Sequence, residues 1–366
     1  MNCQPVKTAV VGCGSISDIY LTNMRDRYDN LEVLSCCSKG MDSAVRQGKK
    51  YGIRAQTLEQ ILQDPEIELL VILTPAPTHY DLIRKGLLAG KHVYTEKPIA
   101  TTVAEAKELI RLADERGLYL GSAPETFLGS AVQTARKAID DGLIGEVTSF
   151  HVVANRDITL LASLFKFLRM PYGGIGYDYG VYYLTALVSL LGPMKQVFGT
   201  VSNRSRVRIN SFPQSPEYGQ EYIYDNESQI DAVLTTQSGI SGTFSLNGDS
   251  LPMDLAYFTV YGTKGMLKLG DANQFGGDTV LLPASLPGEG GGTPVTLEPV
   301  NDLSENSRGI GPADLARAIR EGGKPRVSRE MACHVLDIVE QILRSSETGA
   351  ACSLSTTCER PEPYRK

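Results

Sequence analysis

A chain of 366 residues, 42% hydrophobic and 21% charged, is long enough for two globular domains, each with its own core. Its net charge of −6 comes without a basic stripe for nucleic acid, and its longest apolar run, 69–73, is far too short to span a bilayer. Seven cysteines without Cys-x-x-Cys spacing and only four histidines point to reduced thiols in a cytoplasm and to no metal site. The N-terminal residues show no apolar leader or cleavage site, in keeping with that cytoplasmic expectation.

In chain order, 8–11 reads as a short apolar strand, followed by Gly12-Cys13-Gly14-Ser15-Ile16-Ser17 and a helical pattern to about residue 28. This is the G-x-G-x-x-G arrangement with serine in the third position. Gly12 makes the tight turn, Gly14 lets the backbone approach a pyrophosphate, and the helix start offers free N–H groups. Strands at 31–37, 69–73, 92–94 and 118–121 then alternate with helices at 43–51, 80–88 and 103–116. The alternation predicts βαβ units and a parallel sheet, a Rossmann NAD(P)-binding domain over 1–124.

Ligands of such sheets bind beyond the carboxyl ends of the strands. That criterion selects Cys13, Ser15 and Ile16 with the two glycines, then Ser38 and Lys39, then Thr74, Pro75 and His79, and finally Glu96 and Lys97. For His79 a capping or packing role fits the helix start as well as a role in the crevice. No carboxylate follows the second strand to repel a 2′-phosphate. Lys39 would attract one and Ser38 would bond a free ribose hydroxyl, so NAD and NADP both stay open.

From about residue 126 the pattern changes. A helix at 131–141 precedes strands at 146–154, 197–202, 229–237, 242–246, 256–261 and 266–269, which predicts a large, mostly antiparallel open sheet in an α/β domain over 125–366. A Gly/Pro-rich loop at 287–294, helices at 313–320 and 331–344, and a polar extended tail after 353 complete it. The informative segment is Pro171-Tyr172-Gly173-Gly174-Ile175-Gly176-Tyr177-Asp178-Tyr179-Gly180-Val181-Tyr182-Tyr183. On a helix that starts near Tyr177, Asp178 and Tyr182 share a face, and an acid buried beside a phenol needs a purpose. Tyr177, Tyr179 and Tyr183 read as packing residues.

Taken together, Gly12-x-Gly14, Thr74-Pro75, Glu96-Lys97-Pro98 and Asp178-x-Gly180-x-Tyr182 resemble the motifs of the Gfo/Idh/MocA oxidoreductases, with further matches at 123–129, 140–145 and 305–309. The resemblance implies a Rossmann domain followed by an α/β domain whose open sheet supports homodimers or tetramers. It implies chemistry on a secondary alcohol of a sugar, polyol or glycoside, with Lys97, Asp178 and the residue four further on as the catalytic set. The family usually has histidine there; Tyr182 resembles the branches of glucose–fructose oxidoreductase and dihydrodiol dehydrogenase.

On this reading Tyr182 takes the hydroxyl proton, Lys97 lowers its pKa and polarises the oxygen, and Asp178 orients the pair. The sequence leaves the reverse assignment, with Lys97 as the proton acceptor, open. Glu125, Arg156, Lys166, Arg169 and Tyr172 are the candidate substrate contacts. The expected reaction is oxidation of a ring hydroxyl of a sugar or glycoside to a ketone, with a cofactor that stays bound and is recycled by a second sugar as a further expectation. The alternatives within this fold are NAD-dependent elimination or hydrolysis of a glycoside, and a non-catalytic dinucleotide sensor.

Overall fold

The computed structural model describes residues 4–250, 256–285 and 292–364, so most of the expected loop 287–294 lies outside the described residues. The chain divides into two compact units, 1–125 with 306–333 and 126–305 with 334–366.

The first unit is built on β1 (Val6–Val11), α1 (Ser17–Asp26), β2 (Leu31–Cys37), α2 (Met41–Tyr51), β3 (Arg54–Ala55), α3 (Leu58–Gln63), β4 (Leu69–Ile72), α4 (His79–Leu88), β5 (His92–Thr95), α5 (Val103–Arg116) and β6 (Leu120–Ser122). The strands pair in parallel in the order β3-β2-β1-β4-β5-β6. All four residues of β4 are buried, as a parallel strand covered on both faces requires. Local chemistry sets the helix ends. Thr102 and Glu105 form a capping box that starts α5, and Gly117 closes it in the left-handed conformation. The strand order reverses between β1 and β4, which places the ligand crevice at their carboxyl ends.

The second unit contains α6 (Ser130–Asp140), β7 (Val147–Asn155), α7 (Ile158–Leu164), α8 (Val181–Leu191), β8 (Met194–Ser202), β9 (Val207–Ile209), β10 (Glu221–Ile223), β11 (Gln229–Thr236), β12 (Ser241–Asn247), β13 (Ala256–Gly262), β14 (Gly265–Leu269), β15 (Val280–Pro283) and β16 (Val295–Thr296). The chain then returns to the first unit with α9 (Ile310–Glu321). Next, α10 (Arg329–Thr348) belongs from His334 onward to the second unit, as does β17 (Cys352–Ser353). The nine-stranded sheet runs β16-β15-β14-β13-β7-β12-β11-β8-β17. It is antiparallel except for the β7–β12 pair. Its strands alternate between buried and accessible residues, so one face is covered and the other open. Helix α8 is apolar on nearly all sides and buried along its length.

Two features differ from the sequence expectation. The hairpin β9–β10 forms its own small sheet over α7, where Tyr222 and Tyr224 pack with Ile158, Ala162 and Leu168. Its three-residue strands are too short to show a period. The other is the return of 306–333. Asn23 Nδ2 donates to the carbonyls of Asn306 and Arg308, both at 2.8 Å, and Asn30 Nδ2 donates to that of Ala313 at 2.8 Å. The expected single boundary at 124/125 does not include this return; the first compact stretch runs through Glu125. Periodicity reports a helix at 313–320 but not which sheet it covers. Among the described residues, no helix is long and apolar enough to cross a membrane, and no cluster of three or more His, Cys, Asp or Glu is arranged to hold a metal.

Candidate active site

At the end of β1 the chain turns at Gly12, with φ +110°, and its N–H donates to Cys37 O at 2.8 Å. A Cβ here would lie 2.9 Å from the Leu73 backbone, so only glycine fits. Gly14 differs: a Cβ there would meet nothing within 4 Å. Among the described residues no atom crowds that position, and α1 starts without a side-chain cap. An open glycine turn followed by uncapped N–H groups fits the pyrophosphate of a dinucleotide. Cys13 is buried with its thiol toward Cys37 O at 3.4 Å, while Ser15 is exposed and Ile16 half-buried. Ser38 and the exposed Lys39 follow β2 directly.

After β4, Thr74 Oγ1 accepts from the Thr78 hydroxyl at 2.7 Å, and Pro75 is exposed. His79 is fully buried, with Nδ1 2.7 Å from Pro98 O and Nε2 2.7 Å from Thr74 O. Both ring nitrogens are therefore engaged by backbone, and the imidazole ties the loop after β4 to the turn after β5. Burial pushes its pKa down, against the pull of the two carbonyls. In that turn Glu96 Oε2 accepts from Lys97 N–H at 3.1 Å, Glu96 Oε1 accepts from the Tyr20 hydroxyl at 2.8 Å, and the Lys97–Pro98 peptide is cis.

In the second unit a π-helical turn, Gly176–Gly180, leads into α8 and carries Asp178 one turn ahead of the buried Tyr182. Such turns recur at functional sites. Arg156, from the end of β7, places Nη1 3.2 Å from Asp178 Oδ2 and its guanidinium 4.1 Å from the Tyr179 ring centre. Its Nε is buried with no hydrogen-bond partner among the described residues. Tyr183 bonds to Asp271 and lies 2.7 Å from the Tyr179 hydroxyl, and Tyr177 is likewise buried. Tyr172 holds a left-handed φ of 66°, rare for a bulky residue, and packs edge-on against Tyr177.

The remaining candidates sit elsewhere. Lys166 and Arg169 both pair with Glu217, Arg169 at 3.0 Å, and Arg169 also donates to Ala162 O and stacks on Tyr222. Hydrogen bonds from the two cations hold the Glu217 carboxyl below its usual range. Glu125 lies in the core of the first unit, where its carboxyl meets the hydroxyls of Tyr20 and Tyr94 and accepts the Gly309 N–H. One relevant residue escaped the sequence reading. Glu227, 51 positions beyond Gly176, accepts the Gly176 N–H at 2.9 Å and so fixes the turn that carries Asp178. Burial pushes it up to about 7. Nothing in its local sequence marks that contact.

Two sequence models of one family match the chain: the oxidoreductase family, NAD-binding Rossmann fold, over residues 6–123, and the GFO/IDH/MocA C-terminal domain over 132–268. An uncharacterized oxidoreductase of Schizosaccharomyces pombe is 29% identical over 207 residues, 56% of this chain and 56% of that protein. The chain thus spans little more than half the length of that relative. The scyllo-inositol 2-dehydrogenase (NADP(+)) IolW of Bacillus subtilis is 24% identical over 362 residues, 93% of this chain and 94% of that one. The solved structure of levoglucosan dehydrogenase in complex with NADH and L-sorbose shares the fold, with a TM-score of 0.82 at 19% identity, covering 96% of this chain and 99% of the other. The glycine turn, the strand order and the two matched segments agree: this chain belongs to the Gfo/Idh/MocA family of oxidoreductases, with an NAD-binding Rossmann fold as its first unit.

Proposed function

We propose that the protein is an NAD(P)-dependent dehydrogenase that oxidises a secondary ring hydroxyl of a sugar, polyol or glycoside to a ketone. The supporting observation is the Arg156–Asp178 pair, which holds a carboxylate one helical turn before Tyr182 on a backbone turn of unusual geometry. The names of the inositol and levoglucosan dehydrogenases among its relatives favour a ring alcohol over an open-chain one.

When bound, the nicotinamide supplies the hydride acceptor. The backbone of Gly12, Cys13, Gly14, Ser15 and Ile16 is assigned to the pyrophosphate, Ser38 and Lys39 to the adenosine ribose, and Thr74, Pro75, Glu96 and Lys97 to the nicotinamide side. Tyr182 receives the hydroxyl proton. A free tyrosine has a pKa near 10, so this role needs a cation, and Lys97 is assigned to it. Asp178, anchored by Arg156, orients Tyr182. Arg156 and Tyr172 remain substrate contacts, whereas Lys166 and Arg169 are assigned to anchoring 203–225 through Glu217. A second copy of the chain is assigned to the open sheet face, where Phe198 and Tyr257 stand exposed.

The test is absorbance of reduced nicotinamide while sugars, inositols and glycosides are added with NAD⁺ or NADP⁺. Growth with one ring alcohol supports the reading. A flat trace with every compound recovered unchanged counts against it.

A further inference from the structure

The Tyr20 hydroxyl lies 2.8 Å from Glu96 Oε1 and 3.2 Å from Glu125 Oε2, and the Tyr94 hydroxyl also bonds to Glu125 Oε2. The other oxygen of Glu125 accepts the Gly309 N–H at 2.5 Å. Tyr20 and Tyr94 are fully buried and Glu125 is 1% exposed. The site is closely packed. A Cβ on Gly311 would stand 2.4 Å from the Tyr94 hydroxyl and 2.6 Å from Glu125 Oε2.

Hydrogen-bond accounting then leaves one proton to place. A phenol owns a single proton. If Tyr20 gives it to the nearer Glu96, its oxygen faces Glu125 Oε2 lone pair against lone pair. A proton on Glu125 Oε2 removes the conflict. Oε2 then donates to Tyr20, Tyr20 donates to Glu96, and Oε1 stays free to accept from Gly309.

We propose that Glu125 is a positioning residue that holds a proton and, through Tyr20, orients Glu96 and the Glu96–Lys97–Pro98 turn. The last bond of the chain is already formed, since Glu96 Oε2 accepts the Lys97 N–H. The groups that face Glu125 are Tyr20 on α1, Tyr94 and Glu96 at the end of β5, and Arg308 before α9. Burial raises Glu125 to about 7, while the Gly309 N–H and the Arg308 charge act in the opposite sense. Above that pH Glu96 and Glu125 compete for the proton of Tyr20, and Glu96 loses its fixed partner. The effect on turnover rests on the dehydrogenase reading; the proton itself does not.

The test is infrared spectroscopy of the protein without cofactor or substrate, as the difference between wild type and Glu125→Gln near pH 6 and near pH 9, on either side of about 7. Glu227 contributes equally to both proteins and cancels. The expected result is a protonated-carboxyl band in the difference spectrum near pH 6 that is gone near pH 9. No band near pH 6 overturns the proposal. In the dehydrogenase assay the ratio of wild-type to Glu125→Gln turnover should fall as pH rises through the same range. A constant ratio overturns the positioning role. Absence of turnover with every alcohol removes the dehydrogenase reading, and the infrared band then decides the proton alone.

Discussion

Arg156 Nη1 sits 3.2 Å from Asp178 Oδ2 with its guanidinium 4.1 Å from the Tyr179 ring centre, so the acid one turn before Tyr182 is already half of an ion pair. Each partner is 14% exposed, deep enough for loss of one to leave the other poorly solvated. Arg156→Gln should therefore lower stability by about 1–3 kcal/mol in urea unfolding and reduce turnover as well. Arg156→Lys should recover less than half of either loss, because an ammonium lacks the planar fork and the stacking surface. Equal stability of the two variants and wild type would remove the pair from the account.

Tyr182→Phe should lower turnover roughly 10²–10⁴-fold, the usual weight of a general acid–base group. Cofactor affinity, followed by fluorescence of the bound reduced nicotinamide, should stay within about twofold. Unchanged turnover would return the proton to another acceptor, with Lys97 the first to substitute.

Lys39 is exposed directly after β2 and has no carboxylate beside it in sequence. A hydrogen bond to a charged group contributes about 1.5–3 kcal/mol. Lys39→Glu should thus weaken NADP⁺ binding by roughly 10- to 100-fold while NAD⁺ binding changes little. Calorimetric titration with both nucleotides checks this, and parallel changes for the two would detach Lys39 from the ribose.

Glu227 gives a stability prediction whose sign is opposite to that of an ordinary paired carboxylate. Burial raises it to about 7 from 4.5, so between those values the folded state keeps a proton that the unfolded chain has released. Stability then falls as pH rises across that window and levels off above it. Glu227→Gln keeps an acceptor for the Gly176 N–H and cannot ionise. Relative to wild type it should gain roughly 2–4 kcal/mol between about pH 4.5 and pH 8, read by urea unfolding at each pH. Parallel pH dependences would show that Glu227 does not titrate in this range.

Phe198 and Val233 face each other across β8 and β11, and Tyr257 stands on β13 of the same sheet; all three are 46–60% exposed. If a second copy covers them, Phe198→Glu with Tyr257→Glu should shift the sedimentation coefficient to that of a monomer without loss of secondary structure. A monomeric wild-type protein would end that assignment.

What could be read from the sequence was local. Leu69-Leu70-Val71-Ile72 shows its burial by composition, and Gly12 announces its turn because the next residues begin a helix. Asp178 and Tyr182 were legible because one helical turn separates them. Contacts that close over long stretches of chain left no such trace. Lys166 and Arg169 read from sequence as substrate contacts, whereas the fold sets Glu217 opposite both. His79 reads as a polar residue at a helix start, but only the fold brings Thr74 O and Pro98 O to its two nitrogens. Glu125 follows a strand end, as a ligand contact would, yet faces inward because Tyr20, Tyr94 and Gly309 converge on it from distant parts of the chain.

The return of 306–333 to the first unit also sets an order of events during synthesis. When the ribosome has released residue 125, the six strands of the Rossmann sheet exist, but the carbonyls that Asn23 and Asn30 bind have not been made. Neither has the Gly309 N–H that donates to Glu125, nor Arg320, whose guanidinium bridges Glu68 and the carbonyls of Gln4 and Pro5. Domains generally fold as units from the N-terminus as the chain emerges, yet this one lacks those partners until most of the second unit has been translated. The nascent cofactor-binding half is an unfinished body with an uncovered flank, and chaperones should hold it longest in the interval between those two segments.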